Sequence, residues 1–316
     1  MNSIVTVTLN PAIDHTVFVD KLAAGTVHRA SRSHRQAGGK GLNVATMLSL
    51  GGHDATVSGF LGEDNPSIFI KHFRDHQLED AFVRVAGETR TGIKIVDTSA
   101  DETTDINLPG PAPTEAQCDK LLMRLDFLAE AGRWFLLAGS LPSGVNPDFL
   151  VRIIRTLKAK DALVAVDTSG PALAAAVDAG VDLAKPNNHE LEELIGAKLE
   201  SFEDVLLAAR ALRREKVSRL VVSLGDEGAL FLTPEAELKA SAPPVNVVST
   251  VGAGDSLLAG FLQATVRGDS PSDCARLATV YAWSRLESLV SALPEPDVLK
   301  QRMGQVSVQS LVSLNS

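Results

Sequence analysis

Along this chain, short apolar runs alternate with longer stretches in which apolar residues recur every three or four positions. Ile4–Leu9 alternates β-branched residues and stops at Asn10-Pro11, the pattern of a strand ended by proline. Asp14 to Gln36 stays strand-like, with a turn near Ala24-Gly25. A helix is predicted over Leu42–Leu50, opened by Gly38-Gly39-Lys40-Gly41 and ended by Gly51-Gly52. A strand over Ala55–Leu61 and a helix over Ser67–His76 follow. Thr91–Val96 and Thr103–Leu108 read as two strands joined by the polar turn Ser99-Ala100-Asp101-Glu102, and Pro109-Gly110-Pro111 closes this excursion.

The rhythm then becomes regular. Strands are predicted over Trp134–Ala138, Leu163–Asp167, Leu183–Lys185, Arg219–Leu224 and Gly228–Thr233. Helices are predicted over Asp148–Lys158, Ala172–Ala179, Glu190–Ile195 and Asp204–Glu215, from just after Gly254 to Arg267, and over Pro271–Ser288. Such alternation implies parallel βαβ units, hence an α/β fold with a doubly wound, mostly parallel sheet flanked by helices. Ligands of such sheets bind beyond the C-terminal strand ends. Segments 12–36 and 89–109 fall outside the alternation and are expected to form a small β-sheet lid. Segments 1–11, 37–88 and 110–316 are expected to form the main α/β domain.

With 316 residues the chain can bury a large core; 45% hydrophobic but only 4% aromatic residues make that core one of Ala, Val and Leu. A net charge of -9 gives no general attraction to nucleic acid or to anionic membrane, so a phosphorylated ligand needs a local basic pocket. Cys118 and Cys274 match no metal-ligand spacing and no disulfide framework. Met1-Asn2-Ser3-Ile4-Val5 has neither a basic start nor an apolar signal core, and no apolar run spans a bilayer. The expectation is a cytoplasmic protein with no nucleic-acid or membrane partner.

Ser249-Thr250-Val251-Gly252-Ala253-Gly254-Asp255-Ser256 runs straight into the apolar segment Leu257–Leu262. Glycines let backbone N–H groups crowd together at a helix N-terminus, which favours an anion. An aspartate on the first turn stands beside that anion, ready to accept a proton. Positioning, charge stabilisation and one base are what phosphoryl transfer requires. The plainer alternative is a glycine turn with Asp255 as a cap.

Other clusters carry similar double readings. Gly38-Gly39-Lys40-Gly41-Leu42-Asn43 is a glycine loop entering a helix, with Lys40 for a phosphate and Asn43 for hydroxyls, or a turn and cap. It lacks the spacer and terminal Lys-Ser/Thr of a Walker A loop. Asp14, past the first strand, can hold neighbouring sugar hydroxyls or serve a proline turn. Arg90 and Lys94 share a strand face and can grip a phosphate, or face solvent. Asn187 with Glu190 makes a capping box, and the pair can also face a magnesium–phosphate group through water. Ser223-Leu224-Gly225-Asp226-Glu227-Gly228 is a hairpin turn whose backbone could carry a nucleotide.

Taken in order, these motifs resemble the PfkB (ribokinase-like) carbohydrate kinases over essentially the whole chain. Gly38–Asn43 is similar to the family's first signature and Ser249–Ser256 to its second. Gly139-Ser140-Leu141-Pro142, Lys185–Glu190 and Ser223–Ala229 match intervening landmarks. Thr8-Leu9-Asn10-Pro11-Ala12-Ile13-Asp14, Gly59-Phe60-Leu61-Gly62, Thr89-Arg90 with Lys94, and Thr104-Asp105-Ile106-Asn107 are similar to the bacterial 1-phosphofructokinase branch.

The resemblance implies ATP and Mg2+, phosphorylation of a small-molecule sugar phosphate at the C6 hydroxyl of fructose 1-phosphate, and a closing lid that can pair with a second lid in a homodimer. It implies Asp255 as base and Gly252, Ala253 and Gly254 as the anion hole. It implies Asp14, Gly38, Gly39, Lys40 and Asn43 at the sugar, and Arg90 and Lys94 at its phosphate. Lys185, Asn187, Ser223, Gly225 and Gly228 fall to the nucleotide, and Glu190 to the metal through water. Tagatose-6-phosphate kinase or 6-phosphofructokinase activity is the neighbouring alternative, and a catalytically weak sugar-phosphate-binding regulator the alternative of another class. Two departures stand out: His28 where the branch usually has asparagine, and bulky Trp283 and Arg285 where the family has small residues beside the adenine. Two positions apart on a helix they point about 200° apart. Trp283 is expected to border the base, the alternative being that it packs on a neighbouring helix.

Overall fold

The computed structural model describes residues 3–100 and 102–311. Asp101 of the predicted lid turn, the opening Met1-Asn2 and the last five residues of the predicted main domain lie outside them. The chain begins with β1 (Ile4–Thr8), and β2 (Ala12–Val19) and β3 (Arg32–Gly38) follow. Next come α1 (Lys40–Leu50), β4 (Ala55–Gly62), α2 (Ser67–Asp75) and β5 (Glu79–Val85). Then come the hairpin β6 (Thr91–Asp97) and β7 (Glu102–Asn107), and α3 (Glu115–Leu128). The regular repeat runs β8 (Trp134–Ala138), α4 (Pro147–Lys158), β9 (Leu163–Asp167), α5 (Gly170–Asp178), β10 (Leu183–Ala184), α6 (Asn188–Ile195), α7 (Phe202–Glu215) and β11 (Arg219–Ser223). After it come β12 (Ala229–Leu232), β13 (Glu237–Ser241), α8 (Ala253–Arg267), α9 (Pro271–Leu286), α10 (Pro296–Gln305) and β14 (Ser307–Ser310).

Two sheets result. The large one has ten strands in the order β14-β13-β12-β11-β10-β9-β8-β1-β4-β5. From β11 to β5 every pairing is parallel; β12, β13 and β14 extend the sheet antiparallel. One apolar layer is contributed by α1, α2, α8 and α9 on one face, the other by α3 to α7 on the opposite face. The central strands are therefore covered twice, which is why β1 and β4 are buried along their whole length rather than on alternate residues, small Thr and Ser included. β8 reads Trp-Phe-Leu-Leu-Ala and all five residues are buried. The small sheet, β3-β2-β6-β7, contains one parallel pairing, β2 with β6. All six residues of β7 are exposed.

The predicted α/β class with its small second sheet is the observed one. Ends moved by one or two residues: α5 begins at Gly170 rather than Ala172, α9 ends at Leu286 rather than Ser288, and α8 begins at Ala253 rather than after Gly254. Five elements had no counterpart in the sequence reading: β5, α3, β13, α10 and β14. Their sequences carry weak patterns, Glu-Asp opening β5 and Ser-Val-Gln-Ser forming β14. α3 did carry a signal, the Thr114/Gln117 capping box.

Two local features prepare the site. α1 and α8 both start on glycines at positive φ, Gly39 at 127° and Gly252 at 82°, with no side chain capping their first turns. Second, α8 and α9 pack as an antiparallel pair, brought close at Gly260, where a Cβ would lie 2.8 Å from Ala278 Cα. The C-terminus of α9 is thereby placed beside the N-terminus of α8.

Candidate active site

The parallel strands end in a row of polar residues: Asn10 just after β1, Gly139-Ser140 after β8, Asp167 at the end of β9, Lys185 after β10 and Ser223 at the end of β11. Asp255, on the first turn of α8, faces this row. The residue is 6% exposed and its carboxylate accepts a 2.8 Å hydrogen bond from Asn43 Nδ2, so the two glycine-rich helix starts meet here. In α8 the N–H groups of Gly254 and Asp255 have no acceptor among the described residues. They are the free donors of a helix N-terminus, with the dipole behind them.

The charges around Asp255 are arranged about Asp167. This carboxylate is wholly buried and holds Lys40 Nζ at 2.8 Å and Lys185 Nζ at 3.2 Å. Burial pushes Asp167 up, but Lys185 and Lys40 outweigh it and hold the group below its usual range. Asp255 goes the other way. Burial, aided by the charge of Asp167, lifts it to about 6, against the pull of the Asn43 bond and of the two lysines. One carboxylate is thus fixed as an anion between two cations, and the other is poised near neutrality, the division expected of a structural anion and a general base. Lys40 is raised despite its burial because Asp167 holds its proton.

Lys185 also lines the first turn of α8: a Cβ on Gly254 would lie 3.3 Å from its Nζ. The Asn187 and Glu190 capping box is closed in both directions at 2.9 Å. Ser223 donates its N–H to Pro186 O, and Gly225 has open space over it. Gly228 is demanded by the fold, since a Cβ there would run into the backbone of β13.

On the small-sheet side, Asp14 nests against Gly38, where a Cβ would land on its carboxylate. Gly39 sits as closely against Thr8 and Pro11. Burial raises Asp14, and Lys94 and Arg90 pull it back. Arg90 reaches Asn10 O through Nε and Nη2 and Asn107 Oδ1 through Nη1, at 3.3–3.4 Å. Lys94 makes a 3.5 Å ion pair with Asp105. Beside Arg90 opens a cavity of about 530 Å³, lined by Asn10, Asn107, Ser140 and Ser143 among others. Its hydroxyls, amides and one guanidinium suit a phosphate ester.

One expectation needs correction, and two residues are added. Trp283 does not border this site. Its Nε1 donates to Glu287 at 2.8 Å, and the Arg302 guanidinium from α10 covers its ring at 4.5 Å. Packing against the neighbouring helix wins, because α9 turns the face bearing Trp283 towards α10. The opposite face carries Arg285, which lies against Gly252 and was not read as a site residue. Asp167 was also missed; its signal was an acid at the very end of a buried strand, where such folds place ligands.

Among the described residues no group of three His, Cys, Asp or Glu could hold a metal ion, and no helix is long and apolar enough to cross a membrane. The family described as pfkB family carbohydrate kinase matches residues 1–296. The chain is 40% identical to a 1-phosphofructokinase of Rhodobacter capsulatus over 309 residues, covering 98% of each chain. It is 43% identical to a 1-phosphofructokinase of Xanthomonas campestris pv. campestris over 289 residues, covering 90% of this chain and 91% of that one. The structure of phosphofructokinase-2 from Escherichia coli in complex with fructose-6-phosphate superposes with a TM-score of 0.89 at 27% identity, covering 96% of this chain and 99% of that one.

Proposed function

The chain belongs to the pfkB family of carbohydrate kinases, and from that premise we propose that it transfers the γ-phosphoryl group of ATP to the C6 hydroxyl of fructose 1-phosphate, giving fructose 1,6-bisphosphate. The observation that carries the reading is one buried carboxylate, Asp255, set between free helix N–H groups and the lysines held by Asp167, with the polar cavity at Arg90 on the small-sheet side. Relatives named for this activity over nearly the whole chain support the choice of sugar.

In this reading Asp14, the Gly38-Gly39 backbone and Asn43 orient the sugar. A side chain at Gly38 would strike the Asp14 carboxylate and one at Gly39 would strike Thr8, so both glycines are needed to hold this loop against Asp14 and the end of β1. Arg90 and Lys94 take the phosphate the sugar already carries. Asp255 accepts the proton of the attacking hydroxyl, a task to which a carboxyl raised to about 6 is suited near neutral pH. Charge spreading over the transferred group is met at the Gly252-Ala253-Gly254 turn by the free N–H groups of Gly254 and Asp255, that of Ala253 being donated to Thr250 O, and by Lys185 and Lys40. Ser223, Gly225 and Gly228 shape the nucleotide side.

A magnesium ion, when bound, neutralises charge on the nucleotide phosphates. The donor set fits an ion carried by those phosphates and water, with Glu190 and Asn187 near it, rather than a protein cage: Glu190 is the acid available there and one of its oxygens is already held by the cap. The lid is segments 12–36 and 89–109, and its fully exposed β7 gives it an edge for a second lid, hence a homodimer.

The test is turnover of fructose 1-phosphate, tagatose 6-phosphate and fructose 6-phosphate with ATP. The largest kcat/KM is expected for fructose 1-phosphate. A larger value for either rival moves the assignment to that sugar, and no turnover of any leaves a binding protein.

A further inference from the structure

Arg285 has no place in the roles assigned so far, yet it is the most unusual cation near the site. It sits in the last turn of α9 and is 6% exposed. Among the described residues no carboxylate lies within ion-pairing distance of it. One side-chain nitrogen, Nη1, donates to Ser288 O. The opposite edge turns towards α8: a Cβ on Gly252 would lie 3.1 Å from Arg285 Nε and 3.8 Å from Nη2. Its charge is felt by both Asp255 and Asp14. The two glycines of the Gly252-Ala253-Gly254 turn are thus flanked by two cations, Arg285 at the first and Lys185 at the last.

A guanidinium buried without a carboxylate is costly unless another anion completes it. The C-terminal dipole of α9 gives part of the compensation. The rest is missing on the edge that faces the free N–H groups of α8. The segment ahead of that turn is pinned in place, because Val248 and Ser249 both donate their N–H groups to Leu286 O. Arg285 is therefore held by backbone contacts on one side and left with open donors on the side where a phosphate would sit.

We propose that Arg285 binds the terminal phosphoryl group of the nucleotide, as the cationic wall of the anion hole opposite Lys185. The inference rests on the phosphoryl-transfer reading of this site. It adds a guanidinium whose planar donors can follow oxygens that spread as the group leaves ADP.

The experiment compares Arg285→Met and Arg285→Lys with the parent chain. Affinities for ADP and for the non-hydrolysable ATP analogue AMP-PNP are measured by calorimetry with magnesium, alongside kcat, KM and melting temperature. Arg285→Met is expected to keep ADP affinity, to lose the extra affinity for AMP-PNP, and to lose kcat by about 10–150-fold, the worth of one charge-assisted contact. Arg285→Lys is expected to regain part of both, and it also serves as the test should Arg285→Met not fold. Equal loss of ADP and AMP-PNP affinity would mean that Arg285 only props the 286–288 turn. Unchanged AMP-PNP affinity and kcat, or a parent chain that binds both nucleotides alike, would overturn the proposal. The nucleotide affinities need no sugar, so failure to phosphorylate any sugar phosphate would remove the functional reading without deciding on Arg285.

Discussion

Replacing Asp255 by asparagine is expected to abolish most of the activity and at the same time to stabilise the protein. The carboxyl is lifted from 3.8 to about 6, first by burial and then by Asp167. One pKa unit corresponds to about 1.4 kcal/mol, so holding this group ionised in the folded state at neutral pH costs on the order of 3 kcal/mol. Asparagine removes the charge, keeps the shape and can still accept the Asn43 hydrogen bond. Because the folded-state pKa lies above the unfolded one, the carboxyl holds its proton more tightly when folded. Its contribution therefore favours folding at low pH and is lost as pH rises through about 6. Asp255→Asn should consequently melt several degrees higher than the parent at pH 7, since about 1 kcal/mol moves the midpoint by roughly 2–4 °C in large domains. The advantage should shrink as pH falls towards 4. Calorimetric melting across that pH range, with kcat at saturating substrates, checks both halves; kcat should fall about 10²–10⁴-fold. A variant no more stable at pH 7, or an advantage independent of pH, would refute the electrostatic reasoning. A near-normal kcat would remove Asp255 from the chemistry.

Arg90→Ala should raise KM for the sugar phosphate by about 10–150-fold and leave KM for ATP nearly unchanged; an equal rise in both, seen in steady-state kinetics, would assign Arg90 to closure or folding. Asp167→Asn leaves Lys185, 5% exposed at its side chain, without a counter-ion; denaturant titration should show a loss of about 3–5 kcal/mol. With the Asp167 charge gone and both lysines remaining, Asp255 titrates lower, so the acid limb of the kcat profile should move to lower pH. Trp283→Phe should leave KM for ATP unchanged and lower the melting temperature, because the ring packs under Arg302 and away from the nucleotide side.

Apart from the unread capping box of α3, the fold was legible where the double burial of a strand or the start of a helix wrote itself into residue type. β8 is apolar end to end and β9 is apolar up to its closing Asp167, and α4, α6 and α7 open on Asn146, Asn187 and Ser201, each capping with its own side chain. Three of the elements that escaped notice stand at the margins: β5 and β14 are the two edges of the ten-stranded sheet, and α10 has no fully buried residue. Edge strands need less apolar character, so their pattern is weak. The site was legible where backbone geometry demands glycine, as at Gly39 and Gly252, since such positions mark close approach whatever binds there. It was illegible at Asp167, because a single acid at a strand end looks the same whether or not two lysines converge on it from residues 40 and 185.

The pair Trp283 and Arg285 shows why helix faces cannot be assigned from one helix alone. Their angular separation follows from helical geometry, but which of them meets the site is decided by the crossing of α8 and α9 at Gly260 and by the position of α10. The outcome answers the question raised by a net charge of -9: how an acidic chain gathers enough positive potential to hold phosphorylated ligands. Lys40 and Lys185 share one carboxylate, while Arg90 is anchored by carbonyl and amide oxygens and Arg285 by a carbonyl. Neutral anchors fix a cation in place without cancelling its charge. The excess acid lies elsewhere on the surface, where solvent and salt screen it, whereas the partly buried cations at the strand ends are screened much less.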